Sequence, residues 1–282
     1  MKYTKMHGAG NGFVLLDNSG LSLTEEDCRK IAVMLCAKEH TDGLMALLPC
    51  EDADFAMLYL NSDGSLGEMC GNGARCIARF GYEHGFSRDP EHIRFRATAG
   101  IITGRRITEE MYEVRLNDPS VIDLHRQVPC LGDVWDCSYI ELGDPGIPVV
   151  TVEIPEERFA CRDELFALGR KLRYSPCFPR GANITFACVT GEYSARALTY
   201  ERGVEDFTLA CGTGSSAAAA TLILQGKIAG DHAEITVPGG QLSVRLTVEK
   251  DWVKDIFLTG PTAVVSESGL SLHSKLSSDC FE

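Results

Sequence analysis

The stretch EMCGNGARCIA, residues 68–78, places Cys70 directly before a Gly-Asn-Gly triplet and a run of residues typical of the first turns of a helix. A second stretch, LACGTGSSAAAA, residues 209–220, repeats this construction around Cys211. Each cysteine is followed by G-x-G and then by small or apolar residues. The two stretches predict that a helix begins at each cysteine, and that the two cysteines have matching roles.

The flanks of the two stretches keep nearly the same spacing. A glycine follows each cysteine by fifteen residues, and a strand-like segment with a terminal glycine turn comes next. Such self-similarity over about fifty positions predicts an internal duplication, and the glycines are typical of the left-handed residue that ends a helix. The repeat-related pairs are Gly85 with Gly226, HIRFRATAG (92–100) with HAEITVPGG (232–240), and LNDP (116–119) with LTGP (258–261).

The duplication predicts an α+β fold with two pseudo-symmetric domains, residues 1–119 with the tail 262–282, and residues 120–261. Many short apolar runs with strand-like alternation favour, in each domain, a curved, mainly antiparallel, barrel-like sheet around a central helix. A pseudo-twofold axis would place the active site in the cleft between the domains. Two more helices are expected at Thr24–Cys36, with Thr24 as N-cap, and at Arg162–Leu172.

Composition and charge exclude several classes of protein. The 282 residues are 44% hydrophobic and 24% charged, as in a soluble globular protein, and the net charge of −13 argues against binding to nucleic acid or to an anionic membrane. No signal peptide and no apolar run near the ~18 residues of a membrane span are evident, so we expect a cytoplasmic protein. The twelve cysteines show no zinc-ligand spacing, which predicts reduced thiols and no metal.

The position of a cysteine at the start of a helix has a chemical consequence. The first turn carries unpaired N–H groups and the positive end of the dipole, which bind an anion and lower the pKa of a thiol. Two such thiols facing one small molecule would supply a base on one face of a carbon and an acid on the other. Inversion at the α-carbon of an amino acid needs this pair, with both helix starts stabilising the carboxylate. No nicotinamide, P-loop or pyridoxal-phosphate feature is evident, which fits a reaction without a cofactor.

At these residues the sequence resembles the diaminopimelate epimerase family, cofactor-independent two-cysteine enzymes related in fold to proline racemases and PhzF-type isomerases. The resemblance covers nearly the whole chain, and the two cysteine motifs are its most specific part. The matching segments are HGAGNGF (7–13), DGL (42–44), LNSDGS (60–65), MCGNGARC (69–76), ANITF (182–186) and YERGVEDFTLACGTG (200–214).

The resemblance implies a role for each candidate residue. Cys70 and Cys211 would be the acid/base pair, and Glu201 would hold the reacting amino group. The α-carboxylate would be bound by Gly71, Asn72, Gly212 and Thr213, and the distal end of diaminopimelate by Asn61, Asn183 and Arg202, with Asn11 as a further substrate-binding residue. A homodimer is also implied. Alternative interpretations are a solvated surface pair for Glu201 and Arg202, and turn formation for Asn11 and Asn61.

The sequence departs from the family pattern at one important segment. The family has G-N-P-H early in its second half, whereas this chain has Gly-Ile-Pro-Val at 146–149. An alternative register over Gly-Asp-Pro-Gly at 143–146 offers Asp144 but still no histidine. The loss of an amide and an imidazole leaves the two thiols in place but puts the substrate in doubt. Three alternatives to diaminopimelate epimerase therefore stay open: a racemase of another amino acid such as histidine, a non-catalytic amino-acid-binding relative, and a thiol redox enzyme.

Overall fold

The computed structural model describes residues 1–67, 70–98 and 100–270. The chain forms two compact units. The first combines Met1–Val114 with the segment that begins at Gly260, and the second is Arg115–Thr259. Residues 271–282 of the expected tail lie outside the described residues, as do residues 68, 69 and 99 of the repeat-related segments.

The first unit contains a mixed sheet and two helices, α1 and α2. Its strands lie in the order β17-β1-β2-β3-β4-β5-β6-β7. The β2–β3 and β4–β5 pairs are parallel and the others are antiparallel. The elements are β1 Lys2–Gly8, β2 Asn11–Asp17, α1 Glu25–Glu39, β3 Gly43–Leu48, β4 Phe55–Asn61, α2 Gly71–Glu83, β5 Ile93–Ala97, β6 Gly100–Arg106, β7 Met111–Arg115 and β17 Ala263–Gly269.

The second unit has the corresponding elements in the corresponding order. Its main strands lie in the order β8-β9-β10-β11-β12-β14-β15-β16, with parallel β10–β11 and β12–β14 pairs. The elements are β8 Pro119–Cys130, β9 Asp133–Gly143, β10 Gly146–Glu153, a 3₁₀ helix Glu156–Ala160, α3 Arg162–Arg173, β11 Asn183–Gly191, β12 Ser194–Glu201, β13 Asp206–Phe207, α4 Gly212–Leu224, β14 His232–Val237, β15 Gly240–Glu249 and β16 Trp252–Pro261.

This correspondence confirms the predicted duplication and the α+β fold class. In both units an antiparallel hairpin, a helix, a second antiparallel pair, another helix and three more strands follow one another. Each parallel pair is joined through one of the helices, as a parallel connection requires. The β5–β6 and β14–β15 hairpins keep the predicted offset of 140 residues, with β6 starting at Gly100 and β15 at Gly240.

The helices that follow the cysteines are the most deeply buried elements. Helices α2 and α4 each have 13 residues, and every residue of α4 from Gly212 to Ile223 is buried. Each packs against strands of its own unit. Both end as the sequence predicts, because Gly85 and Gly226 have φ of 78° and 68° and supply the left-handed residue after the helix.

The other two helices cover the opposite faces of their sheets. Helix α1 packs Ile31 and Leu35 against Val14 and Leu44 of the parallel pair β2–β3. Since β2 and β3 have a helix on each face, they read as continuous apolar runs, FVLL and GLMALL, rather than as alternating strands. Helix α3 occupies the corresponding position in the second unit, where Leu165, Leu168 and Leu172 belong to the core.

The helix starts and ends follow local signals. Thr24 caps α1 in a capping box with Asp27, as predicted, and this contact lowers the pKa of the Asp27 carboxyl. The helix continues three residues beyond the predicted Cys36, to Glu39, where His40 ends it with φ of 53°. Helix α3 starts at the predicted Arg162 and runs one residue past Leu172.

Candidate active site

Cys70 and Cys211 stand at the N-termini of the two central helices. Cys70 is the N-cap of α2 with φ and ψ of −116° and 112°, and Cys211 is the N-cap of α4 with −122° and 112°. The extended conformation at each cap leaves the next backbone N–H groups pointing out of the first helical turn. In the second unit the N–H of Gly214 donates to Cys211 Sγ at 3.4 Å.

The third residue after each cysteine is a glycine at which the helix approaches its sheet closely. A Cβ at Gly73 would lie 1.9 Å from Met45 Cε, and a Cβ at Gly214 would lie 2.5 Å from Thr199 Oγ1. The side chains that lie below the two helix starts differ in chemistry. An apolar thioether lies below the first helix, whereas Thr199 and Thr185, whose hydroxyls hydrogen-bond at 2.9 Å, lie below the second.

In the first unit, three predicted substrate residues lie at one place. Gly71 and Asn72 form the first turn of α2, and Asn11 opens β2 beside them. The Asn72 amide donates a short hydrogen bond to Asn11 Oδ1. Strand β1 passes close to this turn, since a Cβ at Gly8 would lie 2.7 Å from the Asn72 carbonyl oxygen. The hairpin therefore holds Asn11 at the start of the cysteine helix.

Asn61 stands at the end of β4 and belongs to a tight turn. Its Nδ2 donates to Ser65 Oγ at 2.9 Å, and its backbone N–H donates to the Ser65 carbonyl at 2.9 Å. This arrangement agrees with the interpretation of Asn61 as a turn former. It also directs the donor side of the amide into the turn, so Oδ1 is the atom suited to accept a hydrogen bond from a ligand.

In the second unit the predicted residues form a hydrogen-bonded group. Cys211 Sγ lies 3.4 Å from Thr213 Oγ1, and Asn183 Nδ2 donates to the same hydroxyl at 3.5 Å. The backbone N–H of Arg202 donates to Asn183 Oδ1 at 2.8 Å. All but Arg202 are buried. The loop after β12 and the start of β11 thus lie beside the start of α4, where Gly212 opens the helix.

Glu201 is the last residue of β12 and is held by a hydroxyl. Thr208 Oγ1 donates to Glu201 Oε2 at 2.8 Å across the short turn that contains Gly203, which has φ of 90°. A carboxylate that already accepts a hydrogen bond is oriented for a second donor, and an ammonium group is such a donor. The sequence singles out Glu201 but not Thr208.

The departure at 146–149 lies at the start of β10. Gly146 opens β10 as Asn11 opens β2, since Gly146 pairs with Gly143 as Asn11 pairs with Gly8. A Cβ at Gly146 would lie 2.6 Å from the Gly143 carbonyl oxygen and 2.7 Å from Glu141 Cβ. The turn between them has a cis peptide bond, Asp144–Pro145. Gly146 therefore has no room for a side chain. In the Gly-Ile-Pro-Val register Ile147, the next residue of β10, stands where the family pattern has asparagine, so the amide is missing there.

Arg75 is the main residue of the first group that sequence reasoning misses. It is fully buried on α2, where its Nη2 donates to Asn72 Oδ1 at 2.9 Å. Burial lowers the pKa of the Arg75 guanidinium to about 10. The available signal is an arginine in a helix whose neighbours are otherwise small or apolar.

Two of the remaining cysteines, Cys76 and Cys137, are buried and suited to structure rather than to catalysis. Every cysteine in the ranges given above is a free thiol. Burial raises the pKa of Cys76 and of Cys137 to about 12, so neither ionises near neutral pH.

Over the same ranges, no group of three or more His, Cys, Asp or Glu residues is arranged to hold a metal ion. No helix in them is both long and apolar enough to span a membrane.

Comparison with protein families gives one match over most of the chain. A family model described as diaminopimelate epimerase matches residues 3–115 and 143–265. The protein named diaminopimelate epimerase from Archaeoglobus fulgidus is 34% identical over 283 residues, covering 96% of this chain and 96% of that protein. The protein of the same name from Aquifex aeolicus is 33% identical over 295 residues, covering 96% and 98%.

Solved structures share the fold at low sequence identity. A PhzF-family phenazine biosynthesis protein from Bacillus anthracis aligns with a TM-score of 0.74 and 17% identity, covering 96% of this chain and 99% of that one. A probable proline racemase from Agrobacterium radiobacter aligns with a TM-score of 0.67 and 19% identity, covering 96% and 93%. These likenesses concern the fold, which agrees with the duplicated architecture described above.

Proposed function

The chain belongs to the diaminopimelate epimerase family, and from this premise we propose that it is an isomerase that inverts one α-carbon of diaminopimelate, converting the LL isomer into the meso isomer without a cofactor. The observation that carries the proposal is the pair of cysteine N-caps with the same backbone conformation, each opening a buried helix of 13 residues. A cytoplasmic location and a homodimeric state stay predictions of the family resemblance.

The chemistry assigns opposite tasks to the two sulfurs. One cysteine, as thiolate, takes the proton from the α-carbon, and the other, as thiol, delivers a proton to the opposite face. The C–H bond that breaks leaves its electron pair on the carbon, and the S–H bond of the second thiol supplies the new proton. After one turnover the two cysteines have exchanged protonation states. Inversion in the reverse direction then uses them in the reverse roles.

The charge that develops on the substrate needs fixed donors. An α-proton is far less acidic than a thiol, so the carboxylate must be stabilised as the proton leaves. The first turns of α2 and α4, with Gly71, Asn72, Gly212 and Thr213, supply backbone and side-chain donors for this purpose. Loss of one such donor typically slows a reaction about 10²- to 10³-fold.

The polar groups of the second unit suit the rest of the substrate. Glu201, oriented by Thr208, would accept from the reacting amino group. Arg202 would bind the distal carboxylate, for which a guanidinium is the preferred partner, beside Asn183. Asn61 would present its Oδ1 to the distal ammonium group, because its Nδ2 is used in the turn.

A second candidate is a racemase of a different amino acid, for example histidine. The observation that favours it is the segment 146–149, where Ile147 and Val149 stand at the positions of the family's asparagine and histidine. The retained Asn61, Asn183 and Arg202 favour diaminopimelate. The same two thiols would serve either substrate.

Deuterium exchange separates the candidates. The protein is incubated in D₂O with LL-diaminopimelate and, separately, with each of a panel of L-amino acids that includes histidine, and deuterium at the α-carbon is measured by mass spectrometry. We expect label in diaminopimelate together with formation of the meso isomer. Exchange in another amino acid with none in diaminopimelate would reject the first candidate. Absence of exchange in every substrate would reject both.

A further inference from the structure

A buried positive charge lies beside the first cysteine loop. Arg75 has no solvent exposure, and among the residues that the structure describes its guanidinium donates to two neutral groups, the Asn72 amide oxygen at 2.9 Å and the Gly71 carbonyl at 3.3 Å. Within the described residues no acidic side chain pairs with it, and its Nε has no hydrogen-bond partner. A buried charge is costly unless its surroundings are arranged for it.

Arg75 is the first member of a chain of four hydrogen-bonded side chains. Asn72, which accepts from Arg75, donates through Nδ2 to Asn11 Oδ1. Asn11 in turn donates through Nδ2 to Asp42 Oδ2 at 3.2 Å, and the same carboxylate oxygen accepts from the Gly12 backbone at 2.9 Å. We call Arg75, Asn72, Asn11 and Asp42 the amide relay.

The two ends of the amide relay fix its direction. A guanidinium can only donate hydrogen bonds, and an ionised carboxylate can only accept them. The side chain of Asn72 must therefore turn its oxygen to Arg75 and its nitrogen to Asn11. For the same reason Asn11 must turn its nitrogen to Asp42. An asparagine between neutral partners could adopt either orientation, but here both orientations are determined.

We propose that Arg75 and Asp42 are positioning residues of the active site, which act through the amide relay to fix how Asn72 and Asn11 present their amides to the substrate's α-carboxylate. The proposal rests on the proposed function for the identity of that carboxylate. Neither charged group transfers a proton in the reaction. Their effect reaches the substrate only through the two asparagines.

The duplicated unit shows that the fold does not need this arrangement. At the offset of 141 residues that relates the cysteines, Thr213 replaces Asn72 and Ser216 replaces Arg75. Gly146 stands at the strand position of Asn11. Helix α4 nevertheless begins with the same cap conformation and has the same length as α2. A purely structural role for Arg75 would not explain why only the first unit has the relay.

A double-mutant cycle tests the coupling between the two ends. Asp42→Asn and Arg75→Met are measured singly and together for kcat and KM with LL-diaminopimelate. We expect kcat/KM to fall about 10-fold and about 100-fold in the single variants, as for lost hydrogen bonds to charged groups. Because both changes disable the same relay, the double variant should lose no more than about 100-fold. A loss near 1,000-fold would mean that the residues act independently and would overturn the proposal.

Two matched variants separate positioning from folding. Arg79 lies one turn further along α2, is also buried, and donates to Glu83 and the Thr262 carbonyl instead of to the loop. Arg79→Met should lower thermal stability but keep the wild-type KM. Arg75→Lys keeps a donor for Asn72, so its KM should stay much closer to the wild-type KM than the raised KM of Arg75→Met. If Arg79→Met raises KM as much as Arg75→Met does, the proposal is wrong.

A measurement without substrate keeps the proposal distinct from the proposed function. The side-chain amide signals of Asn72 and Asn11 can be assigned by NMR through Asn→Asp variants. We expect Asp42→Asn to shift the Asn72 amide signals, although Asp42 is two hydrogen bonds away, and Arg79→Met to leave them unchanged. Loss of this coupling in a protein that epimerises diaminopimelate would refute the relay alone. Coupling in a protein that exchanges no diaminopimelate would refute the proposed substrate alone.

Discussion

Cys70 and Cys211 make the same backbone contact at the start of their helices: the Cys70 carbonyl accepts from the Ala74 N–H at 2.8 Å, and the Cys211 carbonyl accepts from the Ser215 N–H at 2.9 Å. Each cysteine is thus half inside its helix, with its side chain at the positive end. This equivalence makes the two thiols interchangeable in principle and gives the first prediction.

Alanine at either cysteine should abolish inversion. In the proposed mechanism, Cys70→Ala and Cys211→Ala each remove a group that takes or delivers the proton, so we expect the epimerisation rate to fall at least about 10³-fold, within the range of general acid–base catalysis. Serine, a far weaker acid than cysteine, should give a similarly severe loss. Chiral chromatography of the product measures the rate. Cys161→Ser, at an exposed position, is the control and should retain the wild-type rate. More than a tenth of the wild-type rate in either alanine variant would contradict the two-base mechanism.

Alanine should be tolerated better at Gly73 than at Gly214. The methyl group at Gly73 meets Met45 Cε, the flexible end of a side chain that can move away. At Gly214 it meets two threonine hydroxyls, at 2.5 and 2.7 Å, which hydrogen-bond to each other. We expect Gly214→Ala to lower the free energy of unfolding by about 1–3 kcal/mol more than Gly73→Ala does, as is usual for overpacking. Urea denaturation measures both. An equal loss of unfolding free energy in both variants would mean that the two threonines move aside as easily as the methionine.

Loss of the Thr208 hydroxyl should weaken the binding of the substrate amino group that is proposed for Glu201. Thr208→Val removes the hydrogen bond to Glu201 while it keeps the side-chain shape. We expect kcat/KM for diaminopimelate to fall about 10-fold, the size of a hydrogen bond to a charged group. Thr208→Ser retains the hydroxyl and should stay within about 3-fold of wild type. If valine and serine have the same effect, orientation of Glu201 does not depend on this hydroxyl.

Stability should decline when the pH is raised above about 9. Burial raises the pKa of Cys76 to about 12 from an ordinary value of 9.0, so the folded protein holds a proton there that the unfolded chain releases. The stabilisation is complete below pH 9 and is lost as the pH rises toward 12. Burial also raises the pKa of Cys28 to about 11 and that of Cys137 to about 12, with the same sign.

Urea denaturation between pH 8 and 10 checks this linkage. The upper limit is set by Arg75, whose pKa of about 10 gives an effect of opposite sign at higher pH. Above pH 9, Cys76→Ala should reduce the slope of unfolding free energy against pH by up to about 1.4 kcal/mol per pH unit, the value for one proton. Cys161→Ala is the control and should keep the wild-type slope. Equal slopes for all three proteins would show that Cys76 does not contribute.

Much of the fold can be predicted from local signals in the sequence. The Thr24 cap needs only Thr24 and Asp27, and the ends of α2 and α4 need only a glycine at the left-handed position. The duplication follows from the repeated spacing. The end of α1 is harder to predict. His40 occupies the left-handed position at which glycine or asparagine is the usual residue.

The polar surroundings of the candidate residues are harder to predict. The sequence motifs identify Asn72 and Asn11 as candidates. Only the structure shows that Arg75 donates to Asn72, three residues before it in the helix, and that Asp42 accepts from Asn11. Likewise, the residues G-I-P-V reveal the loss of an asparagine at Ile147, whereas only the close approach of Glu141 shows that no side chain fits at the neighbouring Gly146. Contacts between distant segments decide both features.

The pairing of β1 with β17 sets an order for biosynthesis. These neighbouring strands of the first unit are separated by the whole of Arg115–Thr259. As the ribosome releases the nascent chain, the second unit emerges in full before β17 does, and can fold as a unit. Until then β1 has one unpaired edge, open to association with another chain. The interval in which β1 is vulnerable to aggregation therefore includes the synthesis of the whole second unit.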